Sequence, residues 1–340
     1  MKKEVTTLKK LALELNLSTS TVSRALNDHP DISLQTKKRV KNLAQSLNYV
    51  PNIFAKGFRN HKTNIIGVIV PNITHYFTTT MVRGILKEAE AKGYRVIISE
   101  SNNDENKQKE MFNTMLQFGV DGILASLTKR TREVEQILST LNNLPIVLFD
   151  KVSNKIPCTQ ITINDEEAAY NVVEHLINIG KKRIAIIKEG DYSYNSEKRY
   201  LGYKKALLDN NIELNEKLVL SVEDISLKEG KRMANILLSA KKRPDAIFAI
   251  TDAAAIGVMQ ALKKFNVEIP RDIAVVGFSN SSHSTIVEPK LTTVDQSGEK
   301  MGKVAVKYLI DEIEAETESV SSKLVEIKSS IIIRESSFKA

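Results

Sequence analysis

Cysteine is almost missing from this chain of 340 residues: Cys158 stands alone. An internal disulfide is thereby excluded, and no metal-ligand spacing of cysteines exists. Long hydrophobic runs are missing as well. No apolar stretch approaches the ~18–20 residues a membrane span needs, although apolar residues form 42% of the sequence, enough for a sizeable core. The opening MKKEVTTLKKLALELN breaks its apolar residues with Lys and Glu, and so lacks the continuous apolar centre of a secretory signal. A cytoplasmic protein is the expectation.

Catalytic signatures are missing too. The five histidines, His29, His61, His75, His175 and His283, show no H-x-x-x-H or H-E-x-x-H spacing. There is no G-x-S-x-G, no G-x-x-x-x-G-K-[ST], and no G-x-G-x-x-G after a strand. Parallel α/β sheets often host enzymes, but here no residue stands out as catalytic. Neither an enzyme, a metal nor a cofactor is expected.

What is present is charge, unevenly placed. Residues 1–62 hold twelve Lys and Arg against four Asp and Glu, a net +8, while the other 278 residues hold 37 of each sign. Such asymmetry points to nucleic acid or an anionic membrane surface. A well-solvated basic terminus is the bland alternative.

The basic segment has helical periodicity. Thr7 can cap a helix in which Leu8, Leu11, Ala12 and Leu15 form one apolar stripe. After the Asn16-Leu17 turn, Ser18 reads as the next N-cap. In the helix that follows, Val22, Ala25 and Leu26 face one way, and Thr19, Ser20, Ser23, Arg24 and Asn27 the other. A third helix begins after Ser33 and turns Val40, Leu43, Ala44 and Leu47 inward. Two short helices joined by a tight turn, with a third to complete a core, form the helix-turn-helix pattern. Small hydroxyls let a helix lie deep in the major groove, and Arg24 can pair with guanine O6 and N7. Tyr49-Val50-Pro51-Asn52 ends this globular part.

These stretches, VTTLKKLALELNLSTSTVSRALNDHPDIS and then YVPNIFAKGFR, resemble the amino-terminal signature of the LacI–GalR bacterial repressors. The resemblance implies that Thr19, Ser20 and Arg24 read bases, within a DNA-binding set that also takes in Thr7, Ser18, Thr21, Ser23, Asn27 and Tyr49. It implies a hinge helix over residues 51–62, too short to be stable alone, with Asn52, Ala55, Lys56 and Phe58 meeting DNA. Phe58 stands where these repressors usually have Leu, the apolar wedge that unstacks the minor groove. A linker aromatic packed on the next domain is the other reading of Phe58. Gly57 departs from the usual small polar residue and lowers helix propensity by roughly 0.5–1 kcal/mol.

Beyond residue 63 the pattern changes to alternating strands and helices. Short β-branched runs fall at Ile65–Val70, Arg95–Ile98, Gly122–Ala125, Ile146–Phe149, Arg183–Ile187, Ala246–Ile250 and Ile273–Phe278. Helical stretches such as Met81–Lys92 and Asn106–Gln117 lie between them. Such units build parallel sheets with helices on both faces. They are too many for one small sheet, so two lobes are read: 63–160 with 292–325, and 161–291 with the C-terminal strands. Ligands in such sheets bind beyond the carboxyl ends of the strands.

The segments PNITHYF, VDGIL, SEKRYLGY, PDAIFAITD, VVGFSN and LTTVDQ resemble the periplasmic-binding-protein-like core of the same repressors. The implied fold is an all-α helix-turn-helix head (1–50) plus an α/β two-lobed type I domain with parallel sheets. By the same resemblance Tyr76, Phe77, Ser126, Asp150, Arg199, Phe248, Thr251, Asp252, Ser279, Asn280 and Gln296 line an effector pocket. Asp252, ahead of AAAIGVMQALK, also reads as a helix cap, and Tyr76 and Phe77 also suit packing in the interlobe seam. Ser279 stands where many sugar-responsive relatives carry Asp, which weakens the case for an ordinary monosaccharide.

The expected function is a dimeric transcriptional repressor that binds a near-palindromic double-stranded operator under control of a small-molecule effector. A sugar or sugar derivative heads the effector classes; a nucleobase, a nucleoside or a phosphorylated corepressor is the alternative. A solute-binding protein would explain the large domain but not the basic helices. The end, IIIRESSFKA, has no leucine heptad, so a homodimer rather than a coiled-coil tetramer is expected.

Overall fold

Three hydroxyl side chains start the first three helices. Thr7 accepts from the Lys10 amide ahead of α1 (Leu8–Leu15), Ser18 from Thr21 ahead of α2 (Thr19–Leu26), and Ser33 from Thr36 ahead of α3 (Leu34–Ser46). Asn16, left-handed at φ 54°, ends α1 and turns the chain into α2. Leu11, Ala12, Val22, Ala25, Val40 and Ala44 form the small buried core, with Leu8, Leu15, Leu26, Leu43 and Leu47 packed around it. The structure, a computed structural model, describes residues 6–50, 62–129, 131, 134–141, 144–190, 193–315 and 322–338. It divides between Thr63 and Asn64 into two units, and the three helices make up the first.

The second unit alternates strands and helices. Its first lobe is built on β1 (Ile65–Val70), α4 (Tyr76–Ala91), β2 (Arg95–Glu100), α5 (Glu105–Gln117), β3 (Gly122–Ala125), α6 (Val134–Leu141), β4 (Ile146–Phe149) and β5 (Thr159–Thr162). The second follows with α7 (Asp165–Asn178), β6 (Ile184–Glu189), α8 (Tyr194–Asp209), β7 (Val219–Val222), α9 (Leu227–Ser239), β8 (Ala246–Ala249), α10 (Asp252–Lys264) and β9 (Ala274–Val276). The chain then runs through β10 (Thr293–Asp295), returns to the first lobe as α11 (Gly298–Ile313) and β11 (Leu324–Glu326), and crosses back as β12 (Ser330–Ile332).

One parallel sheet has the order β11-β5-β4-β3-β1-β2, the other β7-β6-β8-β9, and β10 pairs antiparallel with β12. β1, β3, β4, β6 and β8 are buried along their whole length. Helices covering both faces explain those unbroken apolar runs. Glycines set the closest helix approach: a Cβ on Gly84 of α4 would collide with the Glu299 carbonyl of α11, and one on Gly302 with the Met81 carbonyl.

The expected runs coincide with β1, β3 and β4 and lie within a residue or two of β2, β6, β8 and β9. Thr159–Thr162 is a full strand of the first lobe, paired with β4 and β11, so the crossover lies just beyond the approximate bound at 160. Likewise β10 joins the second lobe's side, through β12 and a bridge from Thr292 to Val276. Among the described residues no helix is long and apolar enough to cross a membrane, and no cluster of His, Cys, Asp and Glu could hold a metal.

Candidate functional site

In the first unit α2 buries Val22 and Ala25 and leaves Thr19, Ser20, Arg24 and Asn27 exposed. Ser23 is a correction: it is buried with Val22, because at eight residues the helix turns a wide face toward α1 and α3. Thr21 is half-buried. The Ser18 hydroxyl lies 2.8 Å from the hydroxyls of both Ser20 and Thr21, so the N-terminus of α2 carries a hydroxyl cluster. The Asn27 side chain donates to the Ser23 carbonyl at 2.8 Å. Tyr49 packs half-buried on the small core, and that burial pushes its phenol above the ordinary range. Asn52, Ala55, Lys56 and Phe58, with the expected hinge, lie outside the described residues.

In the second unit the strand ends converge on one network. Arg199, on α8, is buried and donates from Nε to Asp165 Oδ1 at 2.7 Å and from Nη1 to the Ile250 carbonyl at 2.7 Å. Its Nη2 lies 3.5 Å from Gln296 Oε1, and its guanidinium stacks 3.7 Å above the Phe278 ring. Gln296 in turn donates to the Ser279 hydroxyl at 3.0 Å. Burial pushes the Asp165 carboxyl up to about 6, against the pull of Arg199.

Across the lobes, Asn195 of α8 donates to Asp150 Oδ1 at 2.7 Å, and the Ser126 hydroxyl lies 3.5 Å from Asp150 Oδ2. Asp150 ends β4 at φ 61°, a left-handed turn that an Asp tolerates. Lys129, from the first lobe, reaches Glu189 at 2.5 Å and Asp224 at 2.7 Å in the second. Although burial pushes the other way, Lys129 holds the Glu189 carboxyl below its ordinary range. These contacts form a polar latch across the cleft.

Several expected pocket residues have other roles. Phe248 is fully buried and packs on Phe278, so the ring beneath Arg199 is Phe278. Thr251, not Asp252, caps α10, accepting from the Ala254 amide. Asp252 is buried and accepts from the Ser281 amide at 2.6 Å and the Thr293 hydroxyl, which fixes the loop after β9. Asn280 accepts from Arg334 at 2.8 Å. Tyr76 is exposed at the start of α4, and Phe77 packs half-buried against the core.

A cavity of about 330 Å³ opens beside the network, and none of the eleven expected residues lines it. Their neighbours do: Thr128, Lys129, Lys151 and Ser153 come from the first lobe, Tyr194 and Lys198 from the second. Lys151 follows Asp150, and Lys198 precedes Arg199. Sequence reasoning missed these lysines, together with Asp165, Asn195 and Glu189. The rule that ligands sit beyond strand ends could have found Lys151, and helical spacing from Arg199 back to Asn195 could have found that residue. Asp165 opens the helix after β5, a strand that the β-branched runs did not mark.

Residues 7–52 match the model of bacterial regulatory proteins of the lacI family, and residues 173–337 match a periplasmic binding protein-like domain. The NTD biosynthesis operon regulator NtdR of Bacillus subtilis is 32% identical over 97% of this chain and 99% of its own length. Catabolite control protein A of Priestia megaterium is 32% identical over 97% of this chain and 98% of its own. Among solved structures, the transcription regulator CcpA of Lactococcus lactis superposes with a TM-score of 0.72 at 29% identity, covering 81% of this chain and 99% of that one. The lac repressor dimer bound to operator and the anti-inducer ONPF gives 0.88 at 24% identity over 99% and 100%, a likeness of fold.

Proposed function

The chain belongs to the lacI family of bacterial regulatory proteins, and on that premise we propose that it represses transcription from a near-palindromic operator as a homodimer. The exposed face of α2 carries this reading: Thr19, Ser20 and Arg24 are exposed to meet base edges on a segment holding the whole +8 of the chain. Ser18, Thr21, Asn27, Thr7 and Tyr49 frame that face, and a hinge over 51–62 brings Asn52, Ala55, Lys56 and the wedge Phe58 to the minor groove. Two heads on one two-fold axis read two half-sites. The lac repressor structure holds operator and an anti-inducer; the same division of labour is assigned here to residues 1–50 and 63–340. The protein works in the cytoplasm, as a binder without a catalytic step.

The second unit is read as the sensor. A small molecule, in the first place a sugar or sugar derivative, binds between the lobes near Asp150, Ser126, Arg199, Ser279 and Gln296. It controls the operator only through different affinity for two lobe arrangements. Operator selection from random duplexes, followed by anisotropy titration of the winner at several salt concentrations, tests the reading. The expected result is a near-palindromic site and a log–log salt plot falling by about 0.9 per phosphate contact. Equal affinity for all duplexes, or affinity indifferent to salt, would overturn it.

A further inference from the structure

We propose that Asp28 is an internal stand-in for a DNA phosphate: in the free head it occupies Lys41, which withholds one cation of α3 from the duplex and lowers sequence-independent binding. This deepens the reading of the head as the operator-binding unit and rests on it. Lys41 Nζ lies 2.6 and 2.7 Å from the two Asp28 carboxylate oxygens, and Lys37 Nζ donates to the Asp28 carbonyl at 3.0 Å.

An acid is an unexpected choice at this place. The Asp28 amide donates to the Ala25 carbonyl at 3.3 Å and the His29 amide to the Arg24 carbonyl at 3.0 Å, the pair of bonds that closes a helix through one left-handed residue. Asp28 is that residue, at φ 56°, where Gly or Asn is usual. The end of α2 also carries partial negative charge, which a carboxylate makes worse. Both local effects favour a neutral residue, and neither accounts for an acid. The lysines of α3 do. Lys37 and Lys41 stand four residues apart, where like charges repel, and Asp28 presents oxygens to both. The Lys41 hydrogen bond holds the Asp28 carboxyl below its ordinary range.

The pair sits beside the face that meets DNA. Asp28 directly follows Asn27, an exposed residue of the face that carries Thr19, Ser20 and Arg24. Both partners are exposed, Asp28 at 63% and Lys41 at 47%, so a phosphate can reach the ammonium that the carboxylate holds. Bonds from an ammonium to a carboxylate and to a phosphate share one geometry, and the two anions therefore compete for the same group. A lysine that neutralises a phosphate releases counterions and strengthens binding to any duplex. A lysine already neutralised does not. Masking Lys41 thus removes one phosphate contact per head from operator and random DNA alike, and leaves discrimination to the base contacts of α2. A genome offers about 10⁶–10⁹ competing sites, and weaker generic binding shortens the time spent on each.

Anisotropy titration of the full chain with random-sequence duplex at several salt concentrations tests the stand-in. Asp28→Asn is expected to steepen the log–log salt slope by about 0.9 per head, and to tighten binding about eightfold per head at 0.1 M salt, as that slope implies. Asn tolerates the left-handed turn, so the variant keeps its fold, which circular dichroism checks. Asp31, paired with His29 among the described residues, supplies the control: Asp31→Asn removes the same charge but frees no lysine, and its slope should match the parent's. In a Lys41→Gln background the gain from Asp28→Asn should shrink to that of the control. An unchanged slope in Asp28→Asn, an equal change in Asp31→Asn, or a gain that persists without Lys41 overturns the inference. So does weaker binding in Asp28→Asn, which would make the pair a brace for α2. The selected operator is titrated alongside. Salt-sensitive binding that rises in Asp28→Asn yet prefers no sequence overturns the repressor and keeps the stand-in. A preferred operator with Asp28→Asn unchanged overturns only the stand-in, and no binding to any duplex overturns both.

Discussion

Arg199 holds three elements at once: α7 through Asp165, the end of β8 through the Ile250 carbonyl, and the segment after β10 through Gln296. Removing it leaves the Asp165 carboxylate buried and unpaired, which typically costs 3–5 kcal/mol, about 3 at the low end. Arg199→Ala is therefore expected to lower the melting temperature of the second unit as well as the effector response; an unchanged melting temperature would show that the pair carries little stability. Arg24 differs in kind. It is exposed and packs no core, so Arg24→Ala should leave stability untouched. It should weaken the operator by about 1–3 kcal/mol and relax one base position. Anisotropy on single-base operator variants checks this, and a uniform loss across all sequences would contradict base reading.

At the scale of elements, α2 depends on its cap as much as on its apolar face. Ser18→Ala is expected to destabilise the head by about 0.5–2 kcal/mol, read as a lower thermal midpoint in circular dichroism, and to weaken all duplexes alike. That pattern separates a capping role from base contact. The three helices were legible because caps and 3.6-residue stripes are local signals: Thr7, Ser18 and Ser33 stand one residue before each helix. β1, β3 and β4 were legible because a strand buried on both faces reads as a continuous apolar run. β7, β10, β11 and β12 were not. They are three or four residues long, β7, β11 and β12 have mostly exposed or half-buried positions, and β10 pairs with a distant partner, Thr293 with Ile332. Ser23 was misplaced because a small hydroxyl gives no hydrophobic signal when it is buried.

At the scale of the molecule, charge is separated from sensing along the chain, and the two lobes are tied by a few polar contacts. Lys129 is the firmest of these, 10% exposed against Glu189 at 9%. Lys129→Met leaves that carboxylate buried without its partner. The expected outcome is a wider lobe arrangement, seen as a larger radius of gyration of the effector-free chain in small-angle scattering. No change would mean that Asn195–Asp150 and the covalent crossovers alone set the closure.

The sequence by itself determined where the charge lies, which helices form the head, and that alternating strands and helices make two lobes. Those properties are written in neighbouring residues, through caps, periodicity and composition. Only the tertiary structure decided which polar residues meet. Arg199 finds Asp165 from 34 residues away and Gln296 from 97, and Lys151 comes to share a cavity with Lys198. Such meetings are fixed by how parallel strands stack their ends, and no local pattern encodes the distance between two strand ends.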